Sequence, residues 1–330
     1  MGSMNARFLA LPLALVAGTL AHSPNATPTA ATCTQGKLDT RAKSCGECHK
    51  AIYKEWKESV HAHSWTDEIY QAWAAKKKKP KSCHRCHAPT PVIAVAPKRP
   101  KMRKNNLDEG VTCATCHVHE GKVHGPWGAK TDAHTSVQSD LFTGSGVPLC
   151  QSCHRITPKP VISLGVDFER AGLEAKGKSC KKCHMPEIER HIAVDPKTGK
   201  PSGPKRMTHR HVFVGGSSPE MMAKAFEFHT SEKDGQVTMR LENLAGHRLP
   251  GLTLRSFSVE FALLGEGGKV LGSSVSKITA KEPLKLGTSL STTLAKAAGT
   301  KHTRVRVNHF FARLKKDKPK DMGVVFEATK

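Results

Sequence analysis

Aromatic and acidic side chains are both scarce in this sequence. Phe, Trp and Tyr together make up 5% of the 330 residues, and 28 acidic residues stand against 52 basic ones. So few aromatic rings cannot fill the interior of a conventional globular protein of this length. The chain is nevertheless not disordered by composition, because apolar runs and strand-like alternation occur near its C-terminus. We therefore expect something other than side chains to supply part of the core.

Long hydrophobic runs are also missing. No apolar stretch long enough to span a bilayer follows the N-terminus, which argues against an integral membrane protein. The short apolar run 8–16 follows Arg7 and precedes small-residue cleavage sites, a pattern typical of a secretory signal peptide, with an uncleaved anchor as the alternative. We assign residues 1–31 to a cloning scar and this signal peptide. Export predicts a periplasmic or extracellular location.

Ten of the 11 cysteines occur in five copies of the motif Cys-x-x-Cys-His. This spacing places both thiols on one face of a helical turn, where they can bond the two vinyl groups of one porphyrin. The following His can bind the iron from that face, whereas neither zinc sites nor disulfides would require a His after every second Cys. The motifs predict five haem c groups with their iron, attached through Cys45 and Cys48, Cys83 and Cys86, Cys113 and Cys116, Cys150 and Cys153, and Cys180 and Cys183, with proximal ligands His49, His87, His117, His154 and His184.

The spacing of the motifs is itself regular. Their first cysteines are 38, 30, 37 and 30 residues apart, which suggests a repeated two-haem unit closed by the fifth motif. Covalently bound haems are large, flat and apolar, so they can replace the missing aromatic core. The eleventh cysteine, Cys33, stands outside the motifs and is either a free thiol or a link between two chains.

Segments around the motifs carry a family resemblance. Residues 45–65, 83–89, 110–117, 124–126 and 183–186 resemble the multihaem cytochrome c-554 family, and the likeness covers about residues 40–230. The family includes a tetrahaem electron carrier of nitrification. The resemblance implies closely packed haem pairs, mostly with two His ligands, held by helices with little sheet. A fifth motif and an added C-terminal domain depart from the family pattern.

The resemblance also implies distal iron ligands among the other histidines. His61 matches a His of the family's first helix, but a helix with Ile52, Trp56 and Val60 on its apolar stripe would place His63 on that stripe. We favour His61 and keep His63 as the alternative. The remaining candidates are His124, His134, His211, favoured over His209, and His247, for which a hydrogen bond within a turn is the alternative role.

The C-terminal part reads differently from the rest. A helix is predicted over 218–229, with a capping box from Ser217 to Glu220, and a period of two follows Asp234-Gly235. Five or six strand-like runs then predict an antiparallel sandwich. The predicted fold class is a mostly irregular and α-helical multihaem cytochrome c domain, residues 32–233, followed by an all-β immunoglobulin-like sandwich, residues 234–330. The sandwich is either a cap on the last haem or a docking module.

Positive charge is concentrated around the second motif. Residues 69–107 contain 11 basic residues and no acidic one, in a chain whose formal charge is +24. Such a segment would steer an acidic redox protein partner, an anionic surface or an anionic substrate. Specific nucleic-acid binding is not expected of an exported cytochrome, although the patch would bind nucleic acid nonspecifically.

Three functions remain open at this point. We favour an electron carrier over an enzyme, with electrons passing along mainly bis-His haems. The second is an oxidoreductase with one open haem that acts on a small nitrogen or sulfur compound, although no Cys-x-x-Cys-Lys motif is present. If His247 or His134 were not a distal iron ligand, this open-haem function would become the favoured one. The third is a homo-oligomer or conductive filament, which Cys33 and segment 22–44 would permit.

Overall fold

A computed structural model of the chain describes residues 38–128, 131–155, 164–312 and 317–330. The predicted signal peptide and Cys33 lie outside the described residues. The described chain has a helical and irregular N-terminal part followed by an antiparallel β-sandwich, which confirms the predicted fold class. None of the helices in these ranges combines the length and the apolar composition that a membrane span requires.

Short helices carry the N-terminal part. Five of them contain the cysteine motifs, and side-chain caps start two of these five: Thr112 and Thr115 form a capping box, and the Ser179 hydroxyl accepts from the Lys182 N–H. The helices are α1 (Ala42–Cys48), α2 (Lys50–Lys57), α3 (Glu68–Ala75), α4 (Lys81–His87), α5 (Cys113–His117), α6 (Asp140–Thr143), α7 (Val147–His154), α8 (Leu164–Arg170) and α9 (Cys180–His184), with a 3₁₀ turn at Leu107–Glu109.

Two small sheets interrupt these helices, which is more sheet than the family resemblance implied. Strand β2 pairs antiparallel with β1 and parallel with β3, and β4 pairs antiparallel with β5. One backbone carbonyl from each of these sheets accepts a hydrogen bond from a motif histidine. The strands are β1 (Val118–His119), β2 (Lys122–Gly125), β3 (Ser136–Gln138), β4 (Glu187–Val194) and β5 (Pro201–His209).

The sandwich consists of two sheets preceded by the helix α10 (Pro219–Ala225). One sheet has the order β10-β7-β6 and the other β12-β11-β8-β9, all antiparallel. Inward-facing residues alternate along these strands, as a sandwich requires. The strands are β6 (Phe226–Lys233), β7 (Gln236–Asn243), β8 (Arg255–Leu264), β9 (Val270–Ile278), β10 (Ser289–Ala295), β11 (His302–Phe311) and β12 (Lys320–Thr329).

The start of the sandwich differs from the prediction in two respects. The helix predicted over 218–229 ends at Ala225, and its cap is Ser218, whose hydroxyl accepts from the Met221 N–H. Strand β6 follows at once, because Phe226 and Phe228 alternate into the core. The described sandwich therefore has seven strands, whereas five or six were predicted. Strand β6 begins before residue 234, the predicted start of the domain. Strand β10 was not recognised because its residues are mostly polar and show only a weak apolar alternation.

Buried apolar side chains are distributed unevenly between the N-terminal part and the sandwich. The larger cluster of buried apolar residues fills the sandwich, around Phe257, Phe261 and Met239. The cluster beside the first motif contains only three buried residues, Ala42, Trp56 and Ala62. Such a small apolar cluster would not by itself hold a domain together. This distribution agrees with the expectation that bound cofactors complete the N-terminal core.

Candidate haem sites

Each cysteine motif lies on a single helical turn. The two thiols of a motif therefore share a face, and the described motif cysteines form no disulfide. Most of them are half-buried, so they are shielded without being sealed in an apolar core. This is the local geometry that attachment of one porphyrin to two thiols needs.

Four of the five motif histidines are oriented by backbone carbonyls of other segments. Nδ1 of a ring donates to the carbonyl oxygen in each case, over 2.6 to 2.8 Å. Because Nδ1 carries the proton, Nε2 keeps its lone pair for a metal. The pairs are His49 with Ile192 of β4, His87 with Ser64, His117 with His124 of β2, and His184 with Val214.

Four of the five motif histidines face a second histidine from elsewhere in the chain. The separation of ring centres is nearly constant, from 6.2 to 6.4 Å, although the angle between the rings varies from 11° to 39°. The pairs are His49 with His134, His154 with His61, His117 with His211, and His184 with His247.

This separation fits a metal ion between the two rings. A bond from a metal ion to a histidine nitrogen is about 2 Å long. When two histidines bind one ion from opposite sides, the two bonds and the distance from each ring centre to its nitrogen together separate the ring centres by about 6 Å. Direct ring stacking would instead bring the centres closer, as between His117 and Phe142 at 4.6 Å. The residues present therefore fit four irons held by two imidazoles each, with the motif cysteines beside them to attach the porphyrins.

Burial keeps the distal rings neutral. Desolvation, with smaller contributions from neighbouring histidines, lowers the pKa of His61 and of His211 to about 3. Desolvation also lowers the pKa of His247. The Nδ1 atoms of His211 and His247 donate to the carbonyls of His209 and Arg248, both over 3.0 Å. A neutral ring with Nδ1 already bonded presents Nε2 as a metal ligand.

The choice between His61 and His63 depends on where α2 ends. The apolar stripe that favoured His63 stops with the helix at Lys57, and Val60 is 70% exposed. His63 is exposed, whereas the His61 ring faces His154. A close backbone approach holds this turn: Gly110 has φ +57°, and a Cβ there would lie 2.5 Å from the carbonyl oxygen of His61.

His124 does not face a motif histidine. Its ring lies 6.1 Å from that of His119, across the β1–β2 hairpin, and its carbonyl oxygen accepts the Nδ1 proton of His117. The ring opposite His117 is His211, which comes from the segment after β5. The structure thus places His124 behind the proximal histidine.

The second motif is the exception among the five. Within the described residues, the ring next to His87 is Tyr70, which is stacked on it at 3.5 Å and 6°, and no histidine faces His87 at the distance seen in the other four. The Tyr70 hydroxyl is 2.5 Å from Nδ1 of His84, so this side chain is tied to the motif helix. This difference could not be recognised from the sequence, because the second motif itself is complete.

Thiol contacts show which motifs are neighbours in space. Thiols of different motifs lie close enough to shift each other's pKa in three places: Cys45 with Cys113, Cys86 with Cys153, and Cys150 with Cys180. Motif one therefore adjoins motif three, and motif four adjoins both two and five. The sequence spacing suggested units of motifs one with two and three with four. Cys116 is also near Cys150, which agrees with the second unit, whereas the thiol contact of motif one is with motif three.

A buried carboxylate holds the segment that carries His211. Glu55 of α2 accepts from both terminal nitrogens of Arg190 at 2.8 and 2.9 Å, from Nε of Arg210 at 3.2 Å, and from the His211 backbone N–H at 3.0 Å. The Glu55 and Arg190 side chains are each only 12% exposed. Burial alone would raise the pKa of Glu55, but these bonds outweigh it and lower the pKa. Sequence reasoning missed this residue because its partners are far away along the chain.

Replacing Glu55 by Gln should destabilise the protein strongly. The change leaves Arg190 buried without its anion, a loss of about 3 to 5 kcal/mol in the free energy of unfolding. Denaturant unfolding of the holoprotein would measure it. The matched control is Glu220→Gln, whose carboxylate makes an exposed pair with Lys224 and should cost under about 1 kcal/mol. Equal effects of the two substitutions would contradict a structural role for the Glu55 network.

The sandwich contributes His247 to the fifth site. The loop between β7 and β8 that carries it is fastened to α8, because Asp167 accepts from the backbone N–H and the guanidinium of Arg248. The rings of His184 and His247 are nearly parallel, at 11°. The C-terminal domain is therefore built into a candidate haem site rather than attached beside the array.

Comparison with known proteins finds a related family and a similar solved structure. Residues 44–118 match the family described as cytochrome c554 and c-prime. Among solved structures, a penta-haem cytochrome c552 from Thermochromatium tepidum is similar with a TM-score of 0.60 and 16% identity, covering 89% of this chain and 99% of that one. No curated protein matches the sequence.

A second solved structure, of an oxidised superoxide reductase, covers 32% of this chain and 86% of its own with 9% identity and a TM-score of 0.21, too low for any argument. The family match over residues 44–118 confirms the resemblance to the cytochrome c-554 family, and the similarity to the penta-haem cytochrome confirms the predicted fold class. The chain has the fold of a multihaem c-type cytochrome.

Proposed function

We propose that the protein is an exported pentahaem c-type cytochrome that carries electrons along its haems. The observation that supports this most directly is the set of four opposed histidine pairs at 6.2 to 6.4 Å, each beside a cysteine motif. Haem iron, when bound, exchanges one electron without changing its ligands. Two imidazole ligands favour a lower reduction potential than a His and Met pair.

The positions of the motif cysteines would define the route that electrons take from one haem to the next. Thiol contacts between motifs join one to three, two to four, and four to five, and motif three adjoins four through the proximity of Cys116 to Cys150. Porphyrins attached through these cysteines would be neighbours in the order one, three, four, with two and five branching from four. Motifs one, two and five would then be the ends at which electrons enter or leave.

Haem content tests the proposal first. A pyridine haemochrome assay of the purified protein should give five haem c groups per chain, one for each motif. An optical redox titration should then show all of them to be reversibly reduced. Fewer haems than motifs, or haems that exchange no electrons with mediators, would count against an electron carrier. Export is supported by the signal-like sequence 1–31.

The acidic partner is proposed to dock beside the second motif. Exposed lysines lie on both sides of α4 in the sequence, and no acidic residue occurs between 69 and 107. Opposite charge raises the rate of encounter between redox proteins more than it raises their affinity. We call the exposed lysines Lys76, Lys77, Lys78, Lys79 and Lys81 the lysine patch.

Charge reversal in the lysine patch should slow electron transfer with an acidic protein. Changing Lys76, Lys77, Lys78 and Lys79 to Glu should lower the second-order rate with an acidic ferredoxin at low ionic strength by about 10- to 100-fold, and salt should remove the difference. Stopped-flow reduction would measure it. The control is the same change at the exposed sandwich lysines Lys269, Lys277, Lys281 and Lys285, which alters the net charge equally. Equal slowing in both variants would exclude a local docking surface.

A second function is favoured by one observation, the absence of a histidine opposite His87 among the described residues. An iron held there would keep a coordination position for a small molecule, such as a nitrogen or sulfur compound. The sequence-based expectation had placed such an opening at His134 or His247, and both of these face motif histidines. The filament alternative depends on Cys33 and segment 22–44, which is described only from residue 38 onwards.

A further inference from the structure

The start of strand β8 contains a cation that lacks an anion. Nε of Arg255 is buried and has no hydrogen-bond partner, and no carboxylate in the described parts of the chain forms an ion pair with this guanidinium. Burial lowers the pKa of Arg255, with no opposing contribution from an acidic neighbour. Arg255 as a whole is half-buried, and a guanidinium partly withdrawn from water without a carboxylate or phosphate is uncommon because the loss of hydration is costly.

A second set of unsatisfied polar atoms lies next to it. The His309 side chain is only 1% exposed, and neither ring nitrogen has a hydrogen-bond partner. His309 pairs with Phe257 across β8 and β11, and Arg255 lies two residues before Phe257 on the same face. The two side chains are thus diagonal neighbours, a distance that an arginine can reach. They form a cluster that we call the Arg255 site.

Two other arginines, the buried Arg190 and the half-buried Arg248, do have acids. Arg190 is bonded to Glu55, and Arg248 to Asp167, in both cases through two guanidinium nitrogens. Among the described side chains, no carboxylate is bonded to the Arg255 guanidinium. The buried donors left unpaired there, Nε of Arg255 and an imidazole N–H of His309, match the two oxygens of a carboxylate.

The Arg255 site is next to the fifth motif. A Cβ on Gly216 would lie 3.0 Å from a terminal nitrogen of Arg255, so the guanidinium touches this loop. Two residues earlier in the same loop, the Val214 carbonyl accepts the Nδ1 proton of His184 over 2.6 Å. Arg255 is therefore close to the loop that orients His184, the histidine of the fifth motif.

We propose that Arg255 and His309 form a carboxylate-binding site that holds a propionate of the haem attached to Cys180 and Cys183. This proposal rests on the assignment of haem to the fifth motif, which the haem content tests independently. Haem carries two propionates, and its attachment through the cysteines fixes its position, so the carboxylate would be present whenever the protein is loaded. The cation would stabilise the reduced state of that haem by offsetting negative charge.

The test is the substitution Arg255→Gln in the haem-loaded protein. Loss of the cation should lower the ratio of reduced to oxidised fifth haem about tenfold at a fixed potential, which is a fall of about 59 mV for one electron. Spectroelectrochemical titration would resolve this as one shifted component. Arg240→Gln, at an exposed arginine of strand β7, is the matched control and should leave all components in place. Identical titrations of the two variants would overturn the proposal.

Two further experiments identify the carboxylate. In protein that lacks the fifth haem through Cys180→Ala and Cys183→Ala, Arg255→Gln should shift none of the remaining haems; a persisting shift would assign the site to another haem and overturn the proposal. Titration with acetate should leave the wild-type potentials unchanged, since the site is already filled. An acetate-dependent shift that Arg255→Gln abolishes would instead mean a site for free carboxylates.

A milder variant covers the case in which Arg255→Gln does not fold. His309→Phe retains a ring of similar size in the buried position but removes the donor. It should shift the same haem in the same direction by a smaller amount. An unchanged titration for folded, fully haem-loaded His309→Phe would contradict the part of the proposal that concerns His309.

Discussion

Replacing His247 by alanine should convert one haem from low-spin to high-spin. In the described structure the His247 ring is 6.2 Å from that of His184, which fits two imidazoles on one iron, and the substitution would remove one of them. Electron paramagnetic resonance of the oxidised holoprotein, with haem content fixed by the haemochrome assay, would count the high-spin haems. The wild-type protein should show one high-spin haem, held by His87, and the variant two.

The controls for this experiment are two histidines that sequence reasoning also nominated. His63 is exposed, and the His124 ring faces His119 instead of a motif histidine. His63→Ala and His124→Ala should therefore leave the number of high-spin haems unchanged. A His124→Ala protein with one more high-spin haem would show that the pairing of His117 with His211 is wrong.

Carbon monoxide should bind to one haem per chain in the reduced wild-type protein. A haem with two imidazoles has no free position, whereas a haem held by His87 alone does. The double substitution Cys83→Ala and Cys86→Ala removes the attachment of that haem, so it should reduce the haem content by one and abolish carbon monoxide binding. Optical titration with dissolved gas would measure the stoichiometry.

The matched control removes a different haem. Cys45→Ala with Cys48→Ala should lower the haem content equally but leave carbon monoxide binding intact, because the ring of His49 faces His134. Binding of no carbon monoxide by the wild-type protein would mean that all irons are closed and would eliminate the open-haem function. Binding that survives the loss of Cys83 and Cys86 would place the open iron at another motif.

These outcomes also separate the two proposed functions. One open haem beside the lysine patch would be positioned to receive small anions, since exposed cations raise their local concentration. An array without an open iron would act only in electron transfer. The location of the lysines near the second motif matters in both cases, either for a protein partner or for a substrate.

The cofactor sites were predictable because their chemistry is local. Two thiols and an imidazole within five residues share one helical turn, and this arrangement does not depend on the tertiary structure. The motifs and the histidine that follows each of them could therefore be identified from their spacing. The sandwich was recognisable for a similar reason, since alternation along strands such as β8 and β11 needs no tertiary information. Strand β6 was missed because it follows a helix without a break.

The distal partners were less accessible to sequence reasoning. His61 and His63 differ by two positions, and the choice between them depended on α2 ending at Lys57, which its own pattern of apolar residues did not reveal. His124 resembled a family ligand in its local sequence, yet the β1–β2 hairpin turns its ring toward His119. Glu55, Tyr70 and Arg255 carried no motif, so their roles emerged only from their neighbours.

The sequence by itself determined how many haem attachment motifs the chain carries, which histidine follows each of them, and that a basic segment surrounds the second motif. Only the tertiary structure decided which distant histidine faces which motif, that His87 has Tyr70 beside it instead, and that a loop of the sandwich completes the fifth site. The physical reason is the range of the interactions: attachment depends on one helical turn, whereas a second axial ligand must be brought to the iron by packing between segments far apart in the chain.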